Sequence, residues 1–219
     1  VIEAILPAAV VVEEARKDTL GFSLSSEESA ALGRAVEKRR REFTTARLCA
    51  RRALARLDLP PASIPSGPHG EPLWPAGVVG SITHCDGYRA CALARRADLF
   101  ALGIDAEPNE PLPAGVLDAI ACSEEHALVR RLARLFPAAH WDRLLFSAKE
   151  SIYKAWFPLV GRPLGFEDAR LTIDPRRGVF SARLLVSEDL PRDLCLRDMT
   201  GRWLARDGLL FTAIAITRA

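Results

Sequence analysis

The 219-residue chain has one methionine, two tyrosines, four histidines and four lysines among its 30 basic residues. Its longest apolar stretch, 208–217, is about half of the roughly 20 residues that cross a bilayer, which suits a buried strand and excludes a membrane-spanning role. There is no low-complexity tract and no short repeat. Hydrophobic residues at 49% and charged residues at 26% exclude collagen-like and disordered classes. The opening segment 1–12 lacks a basic leader and runs into Glu13 and Glu14, so it does not read as a secretory signal. The five cysteines, Cys49, Cys85, Cys91, Cys122 and Cys195, include no CxxC pair, which argues against a zinc or redox centre. They read as small apolar fillers, and the simplest setting for the chain is the cytoplasm. A net charge of only +2 argues against a dedicated nucleic-acid binder.

What is present is charge segregation. Residues 34–56 carry nine basic and two acidic side chains, and 97–129 carry seven acidic and no Lys or Arg. A basic segment suits phosphates and an acidic one suits a hard cation, so the pair points to a metal-assisted phosphate site. In the basic segment Phe43, Ala46, Ala50, Ala53 and Leu57 recur at helical spacing, and Arg40, Arg47 and Arg51 fall on one stripe beside that apolar face. Ser25 and Ser26 before Glu28 are cap signals for the element upstream.

A Pro- and Gly-rich loop, 59–77, precedes paired strands over 78–84 and 89–94, and a third strand over 99–107 is expected to complete their sheet. The 108–113 loop reads as a linker. Helices are expected from Ser123 and over 141–157, the latter ending at Pro158. Strands follow around Leu171 and Ile173, Phe180 to Leu184, Trp203, and 211–216. The expectation is an α+β protein of two similar lobes, 1–103 and 104–219.

On a strand Asp105 and Glu107 leave the same face, a ready chelate. Glu150 and Lys154 are four apart on a helix, which by itself suggests only an exposed pair. Two of the four lysines, Lys149 and Lys154, nevertheless stand in this one apolar block, where a compact ammonium with a titratable proton is distinctive. His84 lies where a strand meets a Gly turn, a place that favours ligand contact.

The blocks Arg40-Arg-Glu-Phe-Thr-Thr-Ala-Arg47, Gly70-Glu-Pro-Leu-Trp-Pro-Ala-Gly77, Gly80-Ser-Ile-Thr-His84, Gly103-Ile-Asp-Ala-Glu107 and Phe146-Ser-Ala-Lys-Glu-Ser-Ile-Tyr-Lys154 resemble, in order and spacing, the signature of Sfp-type 4'-phosphopantetheinyl transferases. The branch of the enterobactin-synthetase transferase is the most similar. The resemblance implies a pseudo-symmetric monomer of two α+β halves with coenzyme A in the cleft between them. It also implies transfer of the phosphopantetheine arm to a serine of apo acyl or peptidyl carrier proteins, with release of adenosine 3',5'-bisphosphate. Carried over by position, Asp105, Glu107 and Glu150 would bind Mg²⁺ and Lys154 would contact the phosphate beside the scissile bond. Thr83 and His84 would meet the coenzyme's phosphates, and Arg40 and Arg47 match basic positions near the ribose 3'-phosphate. Arg51 and Arg52 are added on helix geometry. Glu125 matches an acid assigned to proton removal, which leaves Glu125 and Glu150 as alternative bases.

Two positions depart from the pattern: Glu71 stands where the family often has a basic residue, and Phe146 where it often has Trp. Two other readings remain: a module whose basic helix grips nucleic acid, and a Mg²⁺-dependent phosphate hydrolase using the same acids. The arginine helix has no interleaved aromatics beyond Phe43, which counts against the first. Carrier-independent phosphate release would distinguish the second.

Overall fold

A computed structural model describes residues 1–19, 21–186 and 196–217. The elements run β1 (Val11–Ala15), α1 (Ser26–Ala30), α2 (Glu37–Arg56), β2 (Val78–Cys85), β3 (Tyr88–Arg95), β4 (Leu99–Pro108), α3 (Val116–Ile120), α4 (Ser123–Leu135), α5 (Trp141–Val160), β5 (Ala169–Asp174), β6 (Val179–Leu184), β7 (Asp198–Arg206) and β8 (Leu209–Thr217). Two sheets form, one ordered β1-β3-β2 and the other β4-β8-β7-β6-β5. The α+β class is as expected. By internal contacts the chain divides into one unit of Val1–Leu6 with Gly103–Ala215 and a second of Pro7–Leu102 with Ile216–Ala219, so the change of unit falls inside β4.

The smaller sheet is not the one the sequence suggests. Its third strand is β1, antiparallel to β3 with Val12 opposite Ala92, whereas β4 joins the five-stranded sheet. Alternating hydrophobicity identifies a strand but not its neighbour, and β4 is buried almost throughout, so no polar face marks it. The second long helix also runs past Pro158 to Val160 and stops at Gly161, whose left-handed φ of 72° closes the end with a bond from its N–H to Phe157 O. Proline in the last turn sacrifices one helical hydrogen bond and does not terminate the helix.

In the Pro7–Leu102 unit, α2 lays Cys49, Ala50, Ala53, Leu54 and Leu57 on Ile64, Val78, Cys91 and Leu93. Burial pushes the Cys49 thiol up to about 11 and the Cys91 thiol well above its ordinary range, so both serve as apolar filler. Cys85 and Cys122 are half-buried, and Cys195 lies outside the described residues.

The two units repeat one plan. Each sheet begins with the order first strand, last strand, penultimate strand, and in each unit a shorter helix, α1 or α4, precedes one of 20 residues, α2 or α5. Both units hide a glutamate at the third position of the preceding helix. Glu28, fully buried, accepts hydrogen bonds from Ser25 N, Ile64 N and Arg51 Nη2 at 2.9, 3.0 and 2.5 Å. Glu125, 1% exposed, accepts them from Cys122 N, Leu171 N and Lys149 Nζ at 3.0, 2.9 and 2.9 Å. Lys149 spends its other two N–H groups on Ile120 O and Phe166 O. The pair therefore ties α3, α4, α5 and β5 together from within. Lys149→Met, which leaves the buried Glu125 carboxyl without its cation, is expected to cost about 3–5 kcal/mol in chemical denaturation; a loss below about 1 kcal/mol contradicts this role.

Candidate active site

The acidic face arises where β4 meets α5. At Gly103 a Cβ would lie 1.9 Å from Ser151 O and 2.8 Å from Ala155 N, so only glycine lets the strand rest on the helix backbone. Side chains alternate along β4, which puts Asp105 and Glu107 on the same side as Gly103. On α5, Arg143, Ser147, Glu150 and Lys154 follow steps of four, three and four and share an arc of about 60°. Ser147, fully buried, exchanges a 2.9 Å hydrogen bond with Thr212 on β8 and fixes the rotation of the helix.

Asp105 is 5% exposed and accepts a 2.7 Å charge-assisted bond from Lys154 Nζ, which also donates to Ile104 O at 3.2 Å. Glu107 Oε2 accepts from Arg143 Nη1 at 2.9 Å. The Arg143 guanidinium is anchored in turn on Glu110 O and Pro111 O, so the expected 108–113 linker is a tied loop. Burial, followed by the charge of Asp105, raises the Glu107 pKa against the pull of Arg143. Burial also raises that of Glu150, with Lys154 opposing and Asp105 adding. Asp105 is thus electrostatically coupled to both other acids.

The three do not form a closed cage: among the described residues no group of three His, Cys, Asp or Glu side chains stands close enough to hold an ion. Instead Lys154 neutralises Asp105 and Arg143 neutralises Glu107. The donor set nevertheless fits a hard divalent cation. All the candidate donor atoms are carboxylate oxygens, and two of these acids have pKa values raised by burial and by a neighbouring like charge, a repulsion that a cation would relieve. Glu125 stands apart from this face, with both its oxygens committed inside the Lys149 pair.

In the Pro7–Leu102 unit the candidate cations have separate partners. Arg40 donates to Gly33 O and Ala35 O. Arg51 is taken by Glu28, and Arg52 is exposed. Arg47 is 4% exposed, stacks over Phe43 at 4.1 Å and donates to Ser66 Oγ at 3.1 Å. No carboxylate pairs with it among the described residues, and desolvation lowers its pKa to about 10. His84 meets Arg39 through Nε2 and lies 3.8 Å from Glu42 through Nδ1. Thr83, 1% exposed, points to the opposite face of β2 from its half-buried neighbour His84. Gly80, before them, leaves room for Trp74, whose Nε1 donates to Gly80 O at 3.0 Å.

Sequence reasoning passed over Arg143, although its position seven residues before Glu150 and eleven before Lys154 sets it on their stripe. It also passed over Ser66 and Glu42, which come from elements distant in sequence, a loop and the first turns of α2.

Two α+β units on one plan, a carboxylate face on the strand and long helix of one and guanidinium groups along the long helix of the other, define an internally duplicated enzyme of anionic substrates. Residues 27–94 match the 4'-phosphopantetheinyl transferase N-terminal domain and residues 101–205 the 4'-phosphopantetheinyl transferase superfamily, and the chain belongs to that family. It is 51% identical over 218 residues to 4'-phosphopantetheinyl transferase Svp of Streptomyces mobaraensis, covering 98% of this chain and 89% of that one. Identity to 4'-phosphopantetheinyl transferase PptT of Mycobacterium tuberculosis is 46%, covering 98% and 97% of the two chains. Enterobactin synthase component D of Salmonella typhimurium is 31% identical over 84% of this chain and 75% of its own length. The chain is thus an enzyme that transfers phosphopantetheine from coenzyme A to carrier proteins.

The shift at Glu150 has a measurable consequence. A carboxyl with a raised pKa in the folded state binds its proton more tightly than the unfolded chain does. Its stabilising contribution is therefore full below the ordinary range near pH ~4.3 and is lost as pH rises through the raised value. Metal-free Glu150→Gln is expected to melt above the wild type at pH 7, with the difference vanishing as pH falls below that range. An equal or lower melting temperature at pH 7 contradicts the assignment.

Proposed function

We propose that Asp105, Glu107 and Glu150 hold Mg²⁺ and that the face they form carries out the transfer, releasing adenosine 3',5'-bisphosphate. The observation that carries this reading is the convergence of the three acids on the β4–α5 face, where burial and the charge of Asp105 raise the pKa values of Glu107 and Glu150. A bound Mg²⁺ supplies charge neutralisation for the pyrophosphate oxygens and leaves coordination positions for them and for water.

The chain's own groups divide the remaining work. Lys154 uses two of its three N–H groups within the protein, and its third donor serves the phosphate next to the bond that breaks. Electrons of that bond leave with the adenosine bisphosphate oxygen, while the serine hydroxyl of the carrier attacks the phosphorus of the arm and loses its proton. Glu150 is assigned as the acceptor of that proton, because it is the acid of this face that no described cation or hydrogen-bond donor engages, whereas Asp105 and Glu107 are paired with Lys154 and Arg143. Glu125 is given the structural role of orienting α5 through Lys149, since all its acceptor contacts are occupied in the interior.

Arg40, Arg47, Thr83 and His84 are assigned to the phosphates of coenzyme A by family likeness, and Arg52 by its place on the same helix. Physical support is strongest at Arg47, a desolvated guanidinium whose charge an anion would compensate. Apo acyl or peptidyl carrier proteins are the proposed acceptors. The proposed setting is a monomer in the cytoplasm, in keeping with the thiols of Cys49, Cys91 and Cys122, which form no disulfide.

Incubation with coenzyme A, Mg²⁺ and a panel of apo carrier proteins is expected to add the mass of one phosphopantetheine arm to a carrier serine, with no phosphate released in the carrier's absence. Asp105→Ala is expected to reduce transfer by at least 100-fold while circular dichroism shows an unchanged fold. Near-normal turnover of that variant at limiting Mg²⁺ contradicts the metal assignment.

A further inference from the structure

The repeated plan provides an internal control that separates scaffold from chemistry. Helices α2 and α5 correspond at a constant offset of 98 residues: Ala50 with Ala148, Ala53 with Ser151 and Leu54 with Ile152, all fully buried. At that offset Arg51 corresponds to Lys149, and both bind the buried glutamate of the preceding helix. Arg56 corresponds to Lys154. Arg56 Nη1 donates to Val12 O at 2.6 Å and to Glu13 Oε1 at 3.1 Å, as Lys154 Nζ donates to Ile104 O and to the adjoining Asp105. The clasp of a helix cation on a strand carbonyl and the next residue's carboxylate is therefore common to both units.

Of the positions that differ, three bear on the acidic face: Ala15 stands where the other unit has Glu107, Arg52 where it has Glu150, and Thr45 where it has Arg143. The first two are the ligands that make one face acidic. The third has the same character. Thr45 ties down the segment after β1, its Oγ1 accepting from Thr19 N at 3.0 Å, and Arg143 ties down the segment after β4 through Glu110 O and Pro111 O. Loop anchoring belongs to the shared plan; the added bond to Glu107 does not.

We infer that Arg143 is a positioning residue for the reaction, fixing the Glu107 carboxylate by Oε2 so that Oε1 faces a divalent cation. This deepens the metal reading above and rests on it. The guanidinium spreads its donors over Nε and both Nη groups in a rigid plane, so it holds two carbonyls and the carboxylate in a fixed mutual orientation, and the pair is sheltered enough to keep that geometry, with side chains 17% and 18% exposed. A group of this kind behind a ligand commonly changes metal affinity by about 10–100-fold.

The test is Mn²⁺ binding to the full chain by electron paramagnetic resonance, beside the Mg²⁺ dependence of transfer. The wild type binds Mn²⁺; Arg143→Met is expected to weaken binding at least 10-fold and to shift the half-saturating Mg²⁺ upward by a similar factor, with turnover largely recovered at saturating metal. Arg143→Lys, which preserves the stem and the charge, should be intermediate and serves as the readout if the Met variant does not fold. Arg56→Met, which removes the corresponding clasp in the other unit, should lower the melting temperature and leave Mn²⁺ affinity unchanged. Wild-type or tighter Mn²⁺ binding in folded Arg143 variants overturns the inference alone. Failure of the wild type to bind Mn²⁺ overturns the metal reading and this inference with it.

Discussion

A strand lying on the bare backbone of a helix is the constraint on which the acidic face depends. Gly103 has no side chain to hold β4 away from α5, and the next two residues on that side of the strand, Asp105 and Glu107, are consequently pressed among the side chains of the helix. Proximity of this kind is costly for carboxylates, since each loses water and feels its neighbour's charge. Lys154 and Arg143 offset part of that cost, one for each strand acid, while Glu150 has neither a described hydrogen bond nor an ion pair of its own. The result is a face that holds negative charge under tension and is relieved by a cation.

The same scaffold without the acids appears in the other unit, and the comparison shows what folding alone demands. A buried glutamate at the third position of a short helix, gripped by a cation from the 20-residue helix behind it, recurs as Glu28 with Arg51 and Glu125 with Lys149. Burying a carboxylate is costly unless its oxygens are paired, and in both cases two backbone N–H groups join the cation in binding them. The net charge of +2 conceals this division of labour, with cations concentrated on α2 and acids on β4 and the segment after it.

Much of the acidic face was legible in the sequence because it depends on short periods. The two-residue step from Asp105 to Glu107 and the four-residue step from Glu150 to Lys154 each dictate a shared side once strand and helix are assigned. That the two elements touch was not legible from periodicity, and resemblance to the family supplied it. Pairing partners were hidden for the same reason: nothing in the residues of β1 shows that it, and not β4, borders β3. Glu125 and Arg51 illustrate a second limit. Both lie in charged stretches that read as solvent-facing or ligand-facing, yet Glu125 is buried and Arg51 is engaged by a carboxylate 23 residues away. Pro158 was read as a stop signal, but its place in the final turn of α5 removes the penalty that would have made it one.

The proposed catalysis rests on one claim: a divalent ion is held by acids of β4 and α5 against the pyrophosphate of coenzyme A. Crystals grown with coenzyme A and Mn²⁺ measure it directly through anomalous scattering at the manganese edge. The account predicts a single strong peak within about 2.0–2.3 Å of oxygens from Asp105, Glu107 and Glu150. A coenzyme bound with no peak at that face, or with the ion held by other residues, would contradict it.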